Sequence, residues 1–211
     1  MNAVSSSHQH EFQFYLTGGH VALDFANTIS RRDDPERRRD HLTNPAELVS
    51  FAIQDKILSP KQASELRLLA SKSNTAAVRH FREAIALREA IYRVFAAIAR
   101  EKSAPEADVQ AINDHAVEAS RHRRLARLNG SYRWKWDTNA KSAVERILWP
   151  VAQAAADLLT SDELKMVRWC EAPDCQWLFL DRSRNRSRRW CDMTSCGNRA
   201  KARRHYQRSR N

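Results

Sequence analysis

The spacing of apolar residues predicts a chain that is mainly helical between about residues 44 and 160. In the longest such segment, Thr75–Arg100, apolar side chains recur mostly at three- and four-residue steps, the period of an α-helix with one buried face. A capping residue followed by proline begins two further segments at Asn44-Pro45 and Ser59-Pro60. We therefore predict a core built from helices, with the Thr75–Arg100 helix at its centre.

The period changes to two around Asn129-Gly130, a dipeptide that favours a tight hairpin turn because both positions accept positive φ. The flanking segments are His122–Leu128 and Ser131–Asp137. In the second of them aromatic residues alternate with basic ones: Tyr132, Trp134 and Trp136 against Arg133 and Lys135. Such alternation predicts a β-hairpin whose aromatic face is buried.

Charge is distributed unevenly along the chain, which has 211 residues and a formal net charge of +11. Residues 168–211 hold 12 lysines and arginines against 4 acidic residues, whereas residues 1–167 are nearly balanced. The length is sufficient for one domain of ordinary size and a small appendage.

In the run Arg31–Asp40, five arginines are mixed with four acids, and we predict a solvated loop there.

All four cysteines lie between residues 170 and 196. Cys170 and Cys175 form one close pair, Cys191 and Cys196 form another, and fifteen residues join the pairs. Two such pairs can supply tetrahedral thiolates to one structural Zn²⁺. Disulfide formation is the alternative.

The N-terminal sequence lacks a basic start followed by an apolar stretch, and no segment approaches eighteen consecutive apolar residues. We therefore expect a cytoplasmic protein with no membrane partner. Disulfides are rare in that compartment, which favours the metal site.

The residues around the cysteines predict further local structure. Gln176–Leu180 is typical of a strand, and Arg188–Trp190 of a return strand after a polar turn. We expect Gly197 to let the backbone turn beside the metal and Asn198 to cap a helix that follows. This order of knuckle, hairpin, knuckle and helix resembles a treble clef. Because so small a unit depends on its metal, a chelator should melt it and leave residues 1–160 folded.

Two stretches of the sequence resemble known families. The residues from Cys170 to Lys201, which include the tetrad Cys196-Gly197-Asn198-Arg199, resemble the CGNR zinc finger. Upstream, Leu23-Asp24-Phe25-Ala26-Asn27-Thr28 resembles the LDFxNT signature of the ABATE domain, which is described as a stress-induced transcription regulator. The resemblance implies a bacterial DNA-binding regulator.

We therefore predict an α+β fold that is mainly α-helical and has two domains. Residues 1–165 would form an ABATE-like helical domain with a β-hairpin, and residues 166–211 a small treble-clef-like zinc finger with a basic C-terminal helix. The predicted cofactor is one structural Zn²⁺, held by Cys170, Cys175, Cys191 and Cys196.

The basic residues around the finger allow two interpretations. Some arginines would balance the negative charge of four thiolates on Zn²⁺, or bridge to Asp174 and Asp181. The cations of the terminal helix all follow the last acid, Asp192, and are expected to lack an acidic partner, which favours a phosphate-facing surface over a solvated tail. The predicted nucleic-acid contacts are Arg184, Arg186, Arg188, Arg189, Asn198, Arg199, Lys201, Arg203, Arg204 and Arg208. Among them, Asn198, Arg199 and Arg203 are candidates for reading bases.

Asp24 and Asn27 also allow two interpretations. As polar residues beside a glycine turn, they are typical of groups that cap a helix and hold its turn to the rest of the domain. Alternatively, together with His20, they line a pocket whose ligand alters the DNA affinity of the finger. The sequence does not identify that ligand.

An enzymatic function is not expected. The eight histidines are scattered, and the sequence has no HExxH motif, nucleophile elbow or glycine-rich phosphate loop. Four cysteine ligands would also leave no open position on the metal. The sequence therefore predicts a zinc-dependent DNA-binding protein that regulates transcription. The alternative is a protein-interaction or RNA-binding adaptor that uses the same finger, and the oligomeric state stays open.

Overall fold

The computed structural model describes residues 12–70, 75–137 and 143–210. Within these ranges the chain forms seven α-helices and three two-stranded antiparallel sheets. The elements of the helical part are α1 (Val21–Ala26), β1 (Ile29–Ser30), β2 (Arg39–Asp40), α2 (Pro45–Gln54), α3 (Pro60–Ala70), α4 (Thr75–Ala99), α5 (Glu106–Arg121), β3 (Arg123–Leu128), β4 (Ser131–Trp136) and α6 (Ala143–Leu159). They are followed by a 3₁₀ helix (Asp162–Met166), β5 (Val167–Trp169), β6 (Leu178–Leu180), a π-helical turn (Met193–Gly197) and α7 (Asn198–Arg208). The predicted mainly helical α+β fold is confirmed.

The core lies where the short α1 packs against α4 and α6. Leu23 and Phe25 of α1 are fully buried there, together with Ile91 of α4 and Ile147 of α6. Burying a side chain of this size stabilises a fold by about 1.5–3 kcal/mol. The predicted central helix is confirmed within one residue, because its three- and four-residue spacing places a continuous apolar stripe on this core.

The predicted beginning of α2 is also confirmed. The side-chain oxygen of Asn44 accepts hydrogen bonds from the backbone N–H groups of Ala46 and Glu47 at 2.9 and 3.0 Å, and Pro45 occupies the first helical position. These bonds satisfy two donors that have no partner within the helix.

The charged run Arg31–Asp40 is only partly the solvated loop that its composition predicts. Arg88 of α4 is 1% exposed and forms a bidentate ion pair with Asp40, with nitrogen–oxygen distances of 2.6 and 2.7 Å. Arg32 binds Glu89 at 2.6 Å and lies over the ring of Tyr92. A buried arginine requires such partners, so both ends of the loop are held by α4.

A buried carboxyl group, Asp24, and a half-buried one, Asp55, lie between α1 and the end of α2. Burial raises the pKa of Asp55 to about 7, and the charge of Asp24 adds to this increase. Burial also raises the pKa of Asp24 to about 6, although the N–H of Gly18, at 2.8 Å from the carboxylate, opposes the shift. One oxygen of Asp55 has no hydrogen-bond partner among the described residues.

This carboxyl pair predicts that stability falls as the pH rises from about 4 to about 7. Both groups are protonated in the native state above the unfolded value of about 3.9, so the native state binds more protons in that window. Asp55→Asn removes the charge and should raise the free energy of unfolding at pH 8 by about 1–2 kcal/mol, a value reduced for solvent screening. Urea titrations at pH 4.5 and pH 8 measure this. Asp114→Asn, at an exposed position of α5, is the control, and an equal gain for Asp55→Asn at both pH values would contradict the prediction.

The predicted hairpin is present as β3 and β4, joined at Asn129 and Gly130, which have φ values of 48° and 81°. Its predicted buried face is wrong. Tyr132 is 71% exposed and Trp134 is 56% exposed, because no layer of the described chain covers either face of the hairpin beyond its base. Alternation shows which residues share a face, whereas burial depends on what packs against that face.

The strands β5 and β6 connect the helical part to the cysteine-rich part. Leu178 and Leu180 of β6 join the helical core, whereas Phe179 between them packs with the cysteines. This is the alternation of a strand with two buried faces. The predicted finger hairpin is wrong in its partner: β6 pairs with β5, which precedes Cys170, and 188–190 is not a strand. The backbone of 188–190 bonds elsewhere: the Arg188 N–H donates to the carboxylate of Asp181, and the Arg189 carbonyl accepts from the N–H of Glu171, both at 2.9 Å.

The segment Ser161–Val167 joins the helical part to the cysteine-rich part; it contains the 3₁₀ helix and the first residue of β5, and Val167 is buried. Residues 1–11, 71–74, 138–142 and 211 of the two predicted domains lie outside the described residues. The division at residue 165 stays a prediction.

Candidate metal centre and its basic surroundings

The sulfur atoms of Cys170, Cys175, Cys191 and Cys196 all lie within 4.8 Å of one another, and all four residues are buried. Cys191 Sγ lies 3.6 Å from the Sγ atoms of both Cys175 and Cys196. In a tetrahedral site with Zn–S bonds of about 2.3 Å, neighbouring sulfurs would be about 3.8 Å apart. A disulfide would require about 2.05 Å.

The donor set therefore fits one structural Zn²⁺, as predicted, and four thiolates leave no ligand position for a substrate. The ion would supply the bonds that hold the two cysteine turns together. Phe179, Trp177 and Trp190 pack around the cysteines and limit the access of water.

The first pair of ligands lies on the turn between β5 and β6. Cys175 N–H donates to the carbonyl of Ala172 at 3.0 Å, and Cys170 N–H donates to the carbonyl of Trp177 at 2.8 Å. Gln176 between them has a φ of 62°. These contacts close a tight loop, and the sulfurs of Cys170 and Cys175 lie on the same side of that loop.

In the second pair, Cys196 lies on the π-helical turn that leads into α7, and Cys191 directly precedes the residue that caps this turn. Its cap is Asp192, whose carboxylate accepts from the N–H groups of Thr194 and Ser195 at 2.5 and 2.9 Å. The predicted N-cap at Asn198 is wrong, because the turn and α7 form one continuous helical segment. Asn198 is helical, and its side chain donates to the carbonyl of Thr194 at 2.9 Å.

Gly197 has a role different from the predicted sharp turn. Its φ is −63°, an ordinary helical value. A Cβ atom at this position would lie 2.6 Å from the Sδ atom of Met193, which is well inside van der Waals contact. The glycine thus leaves room for the side chain of Met193 beside the metal site.

Gly197→Ala should therefore lower the free energy of unfolding of the zinc-loaded protein by no more than about 1 kcal/mol, because the new Cβ atom must displace the thioether of Met193, which is half-exposed and can move. Met193→Ala in the same chain should restore most of the loss, because it removes the atoms that clash. Urea unfolding of the two variants in excess zinc measures both effects. If the double variant is no more stable than Gly197→Ala, the clash is not the cause.

Several predicted nucleic-acid contacts instead hold the finger together. Arg203 and Arg199 reach Asp174 at 2.9 and 3.4 Å, so the expectation that the helix cations lack an acidic partner is wrong for these two. The reason is that the first cysteine turn folds back beside α7. Arg199 also donates to Cys196 Sγ at 3.1 Å, where it offsets negative charge on the thiolates.

The arginines before the third cysteine are also engaged. Arg188 donates to the carbonyl of Cys191 at 2.6 Å and lies over the ring of Phe179. Arg189 binds Glu171 at 2.5 Å. The nucleic-acid role of Arg188, Arg189, Asn198, Arg199 and Arg203 stays a prediction, and the structure gives each of these side chains a partner within the finger.

A second set of cations points away from these contacts. No acid among the described residues lies within ion-pair distance of Arg184, Arg186, Lys201, Arg204 and Arg208, and all five residues are exposed. On α7 the period of 3.6 residues places Lys201, Arg204 and Arg208 opposite Arg199 and Arg203. The helix thus has an anchored face and an outer basic face, a distinction that charge counting could not make.

His20, Asp24 and Asn27 have structural partners. His20 accepts from the N–H of Ala22 and caps α1, and Asp24 accepts from the N–H of Gly18. Asn27 donates to the carbonyl of Leu178 at 2.8 Å and accepts from its N–H at 2.9 Å, as a neighbouring strand would. The space beside Asp24 and Asn27 is about 10 Å³, at the lower limit for one water molecule. Their role as ligand-pocket residues stays a prediction.

A larger cavity lies where the helical part meets the finger. Its volume is about 330 Å³, and it is lined from the helical part by Tyr15, Thr17, Ser30 and Arg31, and from the finger by Asp174, Cys175, Trp177, Cys191, Asp192, Thr194, Ser195, Cys196 and Arg199. Sequence reasoning missed Tyr15, Thr17 and Ser30, because hydroxyl residues of separate segments carry no pattern that would unite them. The cavity brings the surface of the helical domain next to three of the four zinc ligands.

Two family models match most of the chain. The ABATE family model, described as "Putative stress-induced transcription regulator", matches residues 19–162, and the model of the CGNR zinc finger matches residues 166–209. Neither description names an enzymatic activity. No curated protein matches the chain. Among the described residues, no helix is long and apolar enough to cross a membrane. With its four clustered cysteines and its helical domain, the chain belongs to the ABATE family and carries a C-terminal CGNR zinc finger with one structural zinc ion.

Proposed function

We propose that this protein is a zinc-dependent DNA-binding transcription regulator of the cytoplasm. The observation that carries the proposal is the outer basic face of α7, formed by Lys201, Arg204 and Arg208, together with the exposed Arg184 and Arg186 of the preceding loop. These cations remain after the ion pairs of the finger have been assigned. Cations without acidic partners on a rigid element favour phosphate binding.

The anchored face of α7 supports this role in a different way. Asp174 holds Arg199 and Arg203, which fixes the rotation of the helix and so keeps the outer cations together. Zinc holds the turn from which α7 begins. DNA binding should therefore depend on zinc through the position of α7.

Phosphate contacts by these five cations predict a strong salt dependence. The logarithm of the association constant for duplex DNA should fall with the logarithm of salt concentration at a slope of about −4 to −5. Changing Lys201, Arg204 and Arg208 together to Gln should reduce the magnitude of the slope by about 3. Fluorescence anisotropy of a labelled duplex at several salt concentrations measures both values.

The matched control changes three exposed cations of the helical domain, Lys56, Arg82 and Lys102, to Gln. The loss of net charge is the same, so an equal effect of the two triple variants would indicate nonspecific attraction and contradict a binding face on α7. Recovery of genomic fragments on the zinc-loaded protein would identify a preferred site. Preference for RNA over duplex DNA would support the adaptor alternative.

The helical domain is the proposed sensor of this regulator. The cavity at its junction with the finger supports this part, because a ligand there would contact Tyr15 and Ser30 on one side and the segment Asp192–Cys196 on the other. Such a ligand could alter the position of α7, which begins two residues after Cys196.

A further inference from the structure

The hairpin of β3 and β4 exposes a basic and aromatic surface that the zinc finger does not explain. Within the sequence from Arg123 to Trp136 there are five cations and no acid. None of the residues of the two strands is buried. A two-stranded hairpin with both faces in water is marginally stable by itself, and exposed aromatic residues that lie together indicate an interaction site.

The strand register gives the two faces different chemistry. Residues directly opposite each other share a face, so Trp134 lies with Leu125, Tyr132 with Arg127 and Trp136 with Arg123. The other face carries the remaining cations, which are Arg124, Arg133 and Lys135. One face is therefore an aromatic row flanked by arginines, and the other is basic.

The aromatic row begins at the body of the protein and continues toward the hairpin turn. Trp136 lies 6.5 Å from Trp149 of α6, and His122 stacks on Trp149 at 3.9 Å. Arg123 lies 4.6 Å from the ring centre of Trp134 and 5.7 Å from that of Trp136, so it occupies the interval between them. Tyr132 and Trp134, two residues apart on one strand, are separated by about 7 Å along the strand, twice the ~3.4 Å rise of a stacked nucleic-acid strand. This backbone spacing leaves room for one base between the two side chains.

We propose that the β3–β4 hairpin binds single-stranded nucleic acid, with bases stacked on Tyr132 and Trp134 and phosphates bound by the surrounding cations. Arg127, Arg133 and Lys135 have no ion-pair partner among the described residues, and Arg124 pairs with Asp137 at 2.7 Å. Stacking platforms combined with a basic surface are the usual means of binding single strands without sequence preference.

The charge distribution disfavours other occupants. A second copy of the hairpin would bring five cations against five, and like charges opposite each other destabilise a sheet. A membrane surface would favour an apolar turn, whereas this turn is Asn129-Gly130-Ser131. The central part of a protein interface is depleted in charged residues, whereas here cations alternate with the aromatic residues of β4 and three arginines lie on β3.

The test compares three variants of the full-length zinc-loaded protein. Tyr132→Ser with Trp134→Ser removes the stacking surface from an exposed position, where it should not affect folding. Val117→Ser, which also removes a 49% exposed apolar side chain, is the matched control. The third is the α7 variant with Lys201, Arg204 and Arg208 changed to Gln. Anisotropy is measured with labelled oligo(dT), an oligo(U) of equal length and a DNA duplex.

We expect the aromatic variant to lose affinity for oligo(dT) and oligo(U) at least tenfold, from the loss of about 1–3 kcal/mol per stacked base, and to retain most of its duplex binding. Oligo(dT) should also quench the tryptophan fluorescence of the wild type more than that of this variant. Wild-type affinity of the aromatic variant for both single strands would overturn the inference. So would binding of phosphatidylserine vesicles, lost in the aromatic variant, without binding of either oligonucleotide.

The two proposals fail separately in this design. If the α7 variant loses duplex binding and the aromatic variant binds every probe as the wild type does, the finger binds DNA and the hairpin has no such role. If only the aromatic variant loses affinity, and only for single strands, the hairpin is the nucleic-acid site and the DNA-binding finger is overturned.

Discussion

Removal of zinc is expected to destabilise the whole chain and not the finger alone. Val167, Leu178 and Leu180 belong to the core of the helical domain, and their exposed fractions are 2%, 0% and 3%. Their loss from that core would cost about 5–8 kcal/mol, comparable to the total stability of many domains. This replaces the expectation from sequence that a chelator would leave residues 1–160 folded.

Calorimetry with and without a strong zinc chelator measures this effect. Without zinc we expect one transition, at least about 10 °C lower, because 1 kcal/mol shifts the melting temperature of a chain of this size by about 2–4 °C. Cys191→Ser in excess zinc should give a similar result. Ser195→Ala, in the same turn and with no side-chain hydrogen bond among the described contacts, should keep the wild-type transition. A finger that unfolds while the helical transition keeps its temperature would contradict the shared core.

Asn27→Ala is expected to lower the free energy of unfolding by about 2–5 kcal/mol. The amide of Asn27 satisfies both the N–H and the carbonyl of Leu178, and both bonds are buried. Removing the amide leaves two buried backbone groups without partners, each of which costs about 1–3 kcal/mol. The effect should therefore appear at the junction of the two domains.

Urea unfolding gives the size of this loss, and hydrogen exchange of the Leu178 amide gives its location. Asn27→Asp should also destabilise the protein, because a carboxylate cannot donate to the Leu178 carbonyl. Asn113→Ala, at an exposed position of α5, is the control and should change stability little. If the Leu178 amide exchanges in Asn27→Ala at the wild-type rate, the hydrogen bonds between Asn27 and Leu178 do not stabilise the junction of the two domains.

The zinc site was predictable because its information is local. Each cysteine pair lies on one short turn, so the spacing alone restricts where the four sulfurs can go, and the structure places them within 4.8 Å of one another. For the basic surface, only the total charge was predictable from the sequence. Whether Arg203 or Arg204 is available for DNA depends on Asp174, a residue of another turn.

The hairpin and the LDFxNT motif both show that the sequence does not identify contacts between distant segments. Alternation placed Tyr132 and Trp134 on one face of a strand, yet both are exposed. Asn27 could be identified as a structural residue from its own neighbourhood, whereas its partner, Leu178, is 151 positions away.

The sequence by itself determined the helices, the NG turn and the four zinc ligands, because periodicity, capping and ligand spacing act between residues that are close along the chain. Only the tertiary structure decided that the finger shares its β6 strand with the helical core, which cations remain exposed, and which aromatic face stays in water. Those outcomes depend on which surfaces meet, and contacts between distant segments arise only when the whole chain packs.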